Sequence, residues 1–275
     1  MKCTDFDLEG TLTSGQVFRW RRMVPTPAYS GWINGVPVQI IQDGTEISFQ
    51  GACADSIQGY LSLDVDLGTL TRQMDVDPVI HAALESHKGL RIIRQEPWEC
   101  RASFILSAFN NIVRLTGMLD HLAVVFGERV AGGNPSVHRF PRPEVIATVS
   151  ERVLRNCGLG FRAPYLKAAA QAVATGAADL EAWRNVDDDA LRAALMAIPG
   201  IGEKVVECVM LFGYGRSGAF PVDVWIGRGM RAWYFRGRKV PDRKIRAFAR
   251  RHFGSHCGWA QQYLFCYARG DGRLQ

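Results

Sequence analysis

The stretch LMAIPGIGEKVVECVM, residues 195–210, limits the possible folds more than any other part of the chain. Two apolar helical runs meet at Pro199-Gly200-Ile201-Gly202. Proline cannot continue the first helix, and the two glycines allow a tight turn with exposed backbone. Upstream, Asp187, Asp188 or Asp189 can cap a helix that runs through Leu191, Leu195 and Met196. Downstream, 203–213 is apolar on nearly every face, which predicts a buried helix. That second helix begins with free backbone amides behind residues that carry almost no side chain. Such an end suits an anion such as phosphate. It equally suits a plain turn between two core helices, and the hairpin alone is compatible with both.

Lys204 stands in the first turn of the buried helix. A positive helix end and apolar surroundings both disfavour an ammonium there, so a neutral, nucleophilic amine is expected. A lysine that snorkels to the surface is the plainer reading. Asp223 follows Pro221 and precedes another helical run, VWIGRGM, which makes it an N-cap candidate. A capping carboxylate is held in place and is expected to stay ionised. Beside a neutral amine it suits chemistry that passes through a cationic sugar, although capping alone also accounts for it.

Charge points the same way. Residues 216–275 carry 13 Lys/Arg against 3 Asp/Glu, within a total of +6 for 275 residues. A basic quarter of this kind suits a polyanion, or is a solvated arginine-rich face. The seven cysteines are widely spaced without a CxxC pair, which predicts reduced thiols and no metal or iron–sulfur site. No apolar run has the length of a membrane span, and MKCTDFDLEGTL lacks the apolar core of a secretory leader, so an intracellular protein is expected.

The fold expected is α+β. Asn34-Gly35 and Asp43-Gly44 are hairpin signals within 31–51, and Phe18 and Trp20 are expected to lie in a further strand. Residues 1–90 are read as an antiparallel sheet domain with short helices, and 91–275 as a helical domain. From about residue 69 helical periodicity dominates, including continuous runs over 99–126, 143–156, 164–175, 223–234, 242–252 and 258–268. Pro/Gly-rich breaks fall at 131–143 and 213–221.

IPGIGEKVVECV with FPVDVW downstream resembles the helix–hairpin–helix DNA glycosylase superfamily, whose lyase-competent members carry the lysine. TSGQVFRW (13–20), IIRQEPWECRASFILSAFNNIVRLTGM (92–118), GLGFRAPYL (158–166) and GWAQQYLF (258–265) are similar to its 8-oxoguanine DNA glycosylase branch. The resemblance implies Lys204 as nucleophile and Asp223 as its electrostatic partner. It implies that the Gly15 carbonyl, Cys208, Phe212, Gln261 and Phe265 bind the damaged base. It places Asn110, Asn111, Arg114, Phe161, Arg162, Gly200, Gly202 and Val224 against DNA. No cofactor or metal is implied. The implied partner is double-stranded DNA with a damaged base, for a monomer working with the DNA, in a bacterial nucleoid rather than a nucleus.

Three positions depart from the pattern. Phe109 replaces a polar asparagine, Phe161 a tyrosine, and Trp225 a histidine, which puts the reading of the opposite base and one phosphate contact in question. The neighbouring expectations are a superfamily glycosylase for another lesion, an oxidised pyrimidine or alkylated purine, and a non-catalytic helix–hairpin–helix DNA binder.

Overall fold

The computed structural model describes residues 1–130 and 137–270. After helix α1 (Leu8–Thr13), strands β1 (Arg21–Arg22), β2 (Tyr29–Ile33), β3 (Val36–Asp43) and β4 (Glu46–Gln50) pair antiparallel in chain order. Asn34 and Gly35, at φ 50° and 73°, make the β2–β3 turn, with Ile33 opposite Val36. The next hairpin is shifted by one residue from its sequence signal. Asp43 pairs with Glu46, so Gly44-Thr45 forms the loop. The strand expected through Phe18 and Trp20 shrinks to Arg21–Arg22. The reason is packing: Phe18 enters the helical core while Trp20 enters the sheet core, where its indole N–H donates to the Tyr60 hydroxyl at 2.8 Å.

Helices α2 (Ala54–Tyr60), α3 (Leu67–Met74) and α4 (Pro78–Ser86) follow the sheet. Asp66 caps α3, and Asp77 caps α4 ahead of Pro78. The two cores interleave along the chain. Ile33, Val38, Ile40 and Ile47 join Ile57, Leu61 and Ile93 under the sheet. Leu67, Leu70, Met74 and Ile80 pack instead with the helices that come later.

The run read as one helix over 99–126 is two, α5 (Pro97–Leu106) and α6 (Ile112–Phe126). Between them Phe109 turns to φ 49°, and the Asn111 side chain accepts the Arg114 N–H at 2.8 Å, which starts a new helix. The run 143–156 also breaks. Val149 is extended, and Ser150 caps the short α8 (Glu151–Leu154) after α7 (Pro143–Thr148). A π-helical turn, Arg155–Leu159, leads towards α9 (Ala163–Ala174). The expected break at 131–143 lies partly outside the described residues.

Asp187 caps α10 (Asp188–Met196), accepting the Ala190 N–H at 2.8 Å. The hairpin then leads into α11 (Glu203–Cys208), which widens into a π-helical turn at Val209–Gly213 and is buried from Val205 onward. Gly200 sits at φ +80°, and a Cβ there would lie 2.1 Å from the Tyr165 ring, so both conformation and space require glycine. α12 (Val224–Tyr234), α13 (Asp242–Phe253) and α14 (Cys257–Gly270) complete the helical layer. No helix among the described residues is long and apolar enough to cross a membrane.

Candidate active site

The first turn of α11 and the N-cap of α12 open onto one cleft of about 1040 Å³. Lys204, Val205, Asp223, Val224 and Trp225 line one side, and residues 107–115 line another. Gly15, Phe265 and Arg269 close it from the direction of the sheet domain and α14.

Lys204 and Asp223 are held in place by different means. α11 has no side-chain cap, because its N-cap residue is Gly202. Its depth is fixed one turn later by Glu207, which is fully buried and accepts hydrogen bonds from Arg192, from Arg250 at 3.1 Å and from the Phe220 N–H at 2.7 Å. The last bond ties the lysine-bearing helix to the segment that leads into Asp223. Asp223 caps α12 by accepting the Ile226 N–H at 2.8 Å. Its carboxyl was expected to stay ionised, but burial pushes its pKa upward, against the opposing pull of the Ile226 N–H and the Lys204 charge.

The Lys204 amine touches residues far away in sequence. Nζ donates to Ser107 Oγ at 3.0 Å and lies 4.9 Å from the centroid of the Phe104 ring. Neither Phe104 nor Ser107 was among the expected site residues. The motif around them carries an i, i+3 pair at the end of α5, but nothing local says that this turn faces Lys204.

Of the residues expected at the base, Gly15 and Phe265 line the cleft, and Gly15 needs its φ of +85°. A Cβ on Gly15 would stand 3.2 Å from Phe265. Cys208 lies one turn beyond Lys204, buried behind the wall, and its thiol is pushed up to about 11 by burial. Phe212 is not on the wall. It stacks on Phe104 at 5.5 Å and 15°, so Phe104 presents the aromatic face instead. An all-round apolar helix gives no sequence signal for which ring faces inward. Gln261 sits one turn before Phe265 on α14, buried, with Oε1 lacking a hydrogen-bond partner.

The residues expected against DNA divide. Asn110, Asn111, Arg114, Gly200, Gly202 and Val224 line the cleft, but the two asparagines are internally bonded. Asn110 Nδ2 donates to the Leu106 carbonyl at 3.2 Å, and Asn111 caps α6. Arg162 departs most from expectation. It is 3% exposed, and its guanidinium donates to the carbonyls of Ala108 at 2.7 Å and Phe109 at 2.9 Å. These bonds hold the α5–α6 break instead of reaching outward. Above it, Phe109 is 95% exposed and Phe161 48%, packed edge to face at 6.2 Å. Arg114 is exposed at the rim.

Residues 1–100 match the family model described as 8-oxoguanine DNA glycosylase, N-terminal domain, and residues 102–253 match that of the HhH-GPD superfamily base excision DNA repair protein. The chain is 31% identical to a probable N-glycosylase/DNA lyase of Methanothermobacter thermautotrophicus, across 98% of this chain and 96% of the relative. It is 30% identical to the N-glycosylase/DNA lyase OGG1 of Arabidopsis thaliana, across 95% of this chain and 77% of the relative. The solved structure of the Clostridium acetobutylicum 8-oxoguanine glycosylase/lyase, in complex with double-stranded DNA containing cytosine opposite 8-oxoG, superposes with a TM-score of 0.92 at 31% identity, covering 97% of this chain and 93% of that one.

Proposed function

The chain belongs to the 8-oxoguanine DNA glycosylase branch of the helix–hairpin–helix base excision repair proteins, and on that premise we propose that it is a bifunctional glycosylase and abasic-site lyase excising 8-oxoguanine from duplex DNA. The observation that carries this reading is the convergence of Lys204 and Asp223, from two helix starts, on one cleft large enough for a flipped nucleoside.

The Lys204 lone pair forms the Nζ–C1′ bond as the C1′–N9 bond breaks, and the base leaves with that electron pair and takes up a proton. Opening of the sugar ring yields a protonated imine between Nζ and C1′. Loss of a C2′ proton then expels the 3′ phosphate by β-elimination and nicks the strand. Asp223 stabilises positive charge on the sugar as it develops, from a carboxylate that the α12 cap holds in place.

Gly15, Gln261, Phe265 and Cys208 form the base pocket in this reading, supported by the buried, unpartnered Gln261 Oε1. Phe104, backed by Phe212, supplies the aromatic wall between that pocket and α11. The amides at Gly200, Gly202 and Val224 take phosphates, and the exposed Phe109–Phe161 pair fills the stack beside the vacated position. Arg114 faces the opposite strand, while Asn110, Asn111 and Arg162 shape the rim. A monomer working with the DNA, in a bacterial nucleoid, belongs to this reading as the resemblance implies it, and seven widely spaced cysteines without a CxxC pair suit a reducing compartment.

The test is borohydride trapping on a duplex with one 8-oxoguanine, beside duplexes carrying other lesions. Wild-type protein is expected to be trapped covalently and to prefer 8-oxoguanine, whereas Lys204→Gln binds the duplex and is not trapped. Trapping that survives the substitution would assign the chemistry to another amine.

A further inference from the structure

We propose that Ser107 is a positioning residue for the Lys204 amine, setting the direction in which the nucleophile's lone pair points. The inference rests on the Schiff-base reading given above.

A serine hydroxyl has one proton. That of Ser107 goes to the Phe104 carbonyl, with Oγ 2.7 Å from the oxygen. What Oγ offers to Lys204 is therefore a lone pair, and Nζ donates to it at 3.0 Å. The direction of this contact is thereby fixed: serine accepts and lysine donates. On another side Nζ meets the Phe104 ring, its centroid 4.9 Å away. Both groups come from a single turn at the end of α5, and that turn is rigid. The Phe104 ring is stacked on Phe212 at 5.5 Å and packed edge to face with Phe18 at 5.7 Å. Ser107 continues α5 with helical backbone angles, φ −72° and ψ −16°.

A neutral amine carries two N–H bonds and one lone pair in a tetrahedral array. Rotation about Cε–Nζ moves the lone pair among three staggered positions. Directing one N–H at Ser107 excludes the rotamer whose lone pair would point there, and the Phe104 ring blocks a second direction. The amine also has the buried Cys208 thiol, one turn along α11, as a hydrogen-bonding neighbour. Lys204 lines the open cleft together with Asp223, so an N–H held on Ser107 leaves the lone pair fewer buried directions and favours the cleft. Ser107 thus does for the amine what a positioning contact does for any nucleophile: it removes unproductive orientations before reaction. Without the hydroxyl the amine samples all its rotamers. Rotamer loss together with one net hydrogen bond sets the expected effect at about three- to tenfold in rate.

The experiment compares the wild-type chain with Ser107→Ala and Ser107→Thr under single-turnover borohydride trapping, on an 8-oxoguanine duplex and on a duplex carrying a preformed abasic site. The abasic duplex has no base to recognise, so it isolates the amine. Ser107→Ala is expected to be trapped about three- to tenfold more slowly on both duplexes, with DNA affinity within about twofold of wild type and with Ser107→Thr recovering most of the rate. Four results would overturn the proposal: an unchanged rate in Ser107→Ala, a loss confined to the 8-oxoguanine duplex (a base contact), a loss matched by weaker binding (a DNA contact), or a threonine variant as slow as alanine. Wild-type protein trapped on neither duplex would instead overturn the Schiff-base reading, and this proposal with it.

Discussion

Substituting Asp223 by alanine and by asparagine separates the two jobs assigned to one carboxylate. As a cap it accepts the Ile226 N–H at 2.8 Å. Alanine removes that acceptor and should cost about 1 kcal/mol, a fall in melting temperature of roughly 3 °C for a protein of this size. Asparagine keeps an acceptor oxygen and should cost at most about 0.5 kcal/mol. Catalysis should sort differently. Both variants remove the negative charge that faces the developing sugar cation, so both should slow single-turnover base release by on the order of 100-fold, with binding retained. The pH dependence adds a signed check. Burial raises the folded-state pKa of this carboxyl, so the wild-type rate should fall with decreasing pH above the ordinary aspartate range, and the asparagine variant should show no such limb. Stability should move the opposite way: the folded protein binds this proton more tightly than the unfolded chain, so wild type gains stability relative to Asp223→Asn as pH falls from the raised pKa to the ordinary one. Base release and calorimetry on the three proteins provide the assay. Asparagine turning over at the wild-type rate would reduce Asp223 to a cap, and asparagine melting as low as alanine would refute the capping argument.

Arg162→Ala should destabilise the protein by about 3 kcal/mol, because it releases two carbonyls from a buried guanidinium, and should speed amide exchange across 107–111. An arginine that serves only to read DNA would leave both measurements at wild type. Among the thiols, Cys53 is exposed and its pKa is lowered by the Ser56 hydroxyl, whereas burial pushes Cys208 and Cys257 up to about 11. Iodoacetamide near pH 8 should therefore label Cys53 first and reach Cys208 only on unfolding, as read by peptide mass spectrometry.

The chain's local stereochemistry was enough to place the hairpin at 199–202, the turn at Asn34-Gly35 and the cap at Asp223, and to narrow the α10 cap to Asp187, Asp188 or Asp189, of which the structure uses Asp187. Each depends on residues within four positions of one another, where a missing N–H, a positive φ or a short polar side chain decides the outcome. Periodicity likewise announced that α11 would be buried. It could not say which residues that helix would meet. Lys204 and Ser107 stand 97 positions apart, and their contact depends on how α5 crosses α11. Phe104 and Phe212 have the same apolar signature, and only their stacking order leaves one on the cleft and the other behind it. The resemblance implies a DNA-contacting role for Arg162, yet the break between α5 and α6 turns two carbonyls towards it and claims its donors. Caps and turns obey short-range rules that a sequence displays, whereas the neighbours of a side chain across a helix interface follow from packing the whole core at once.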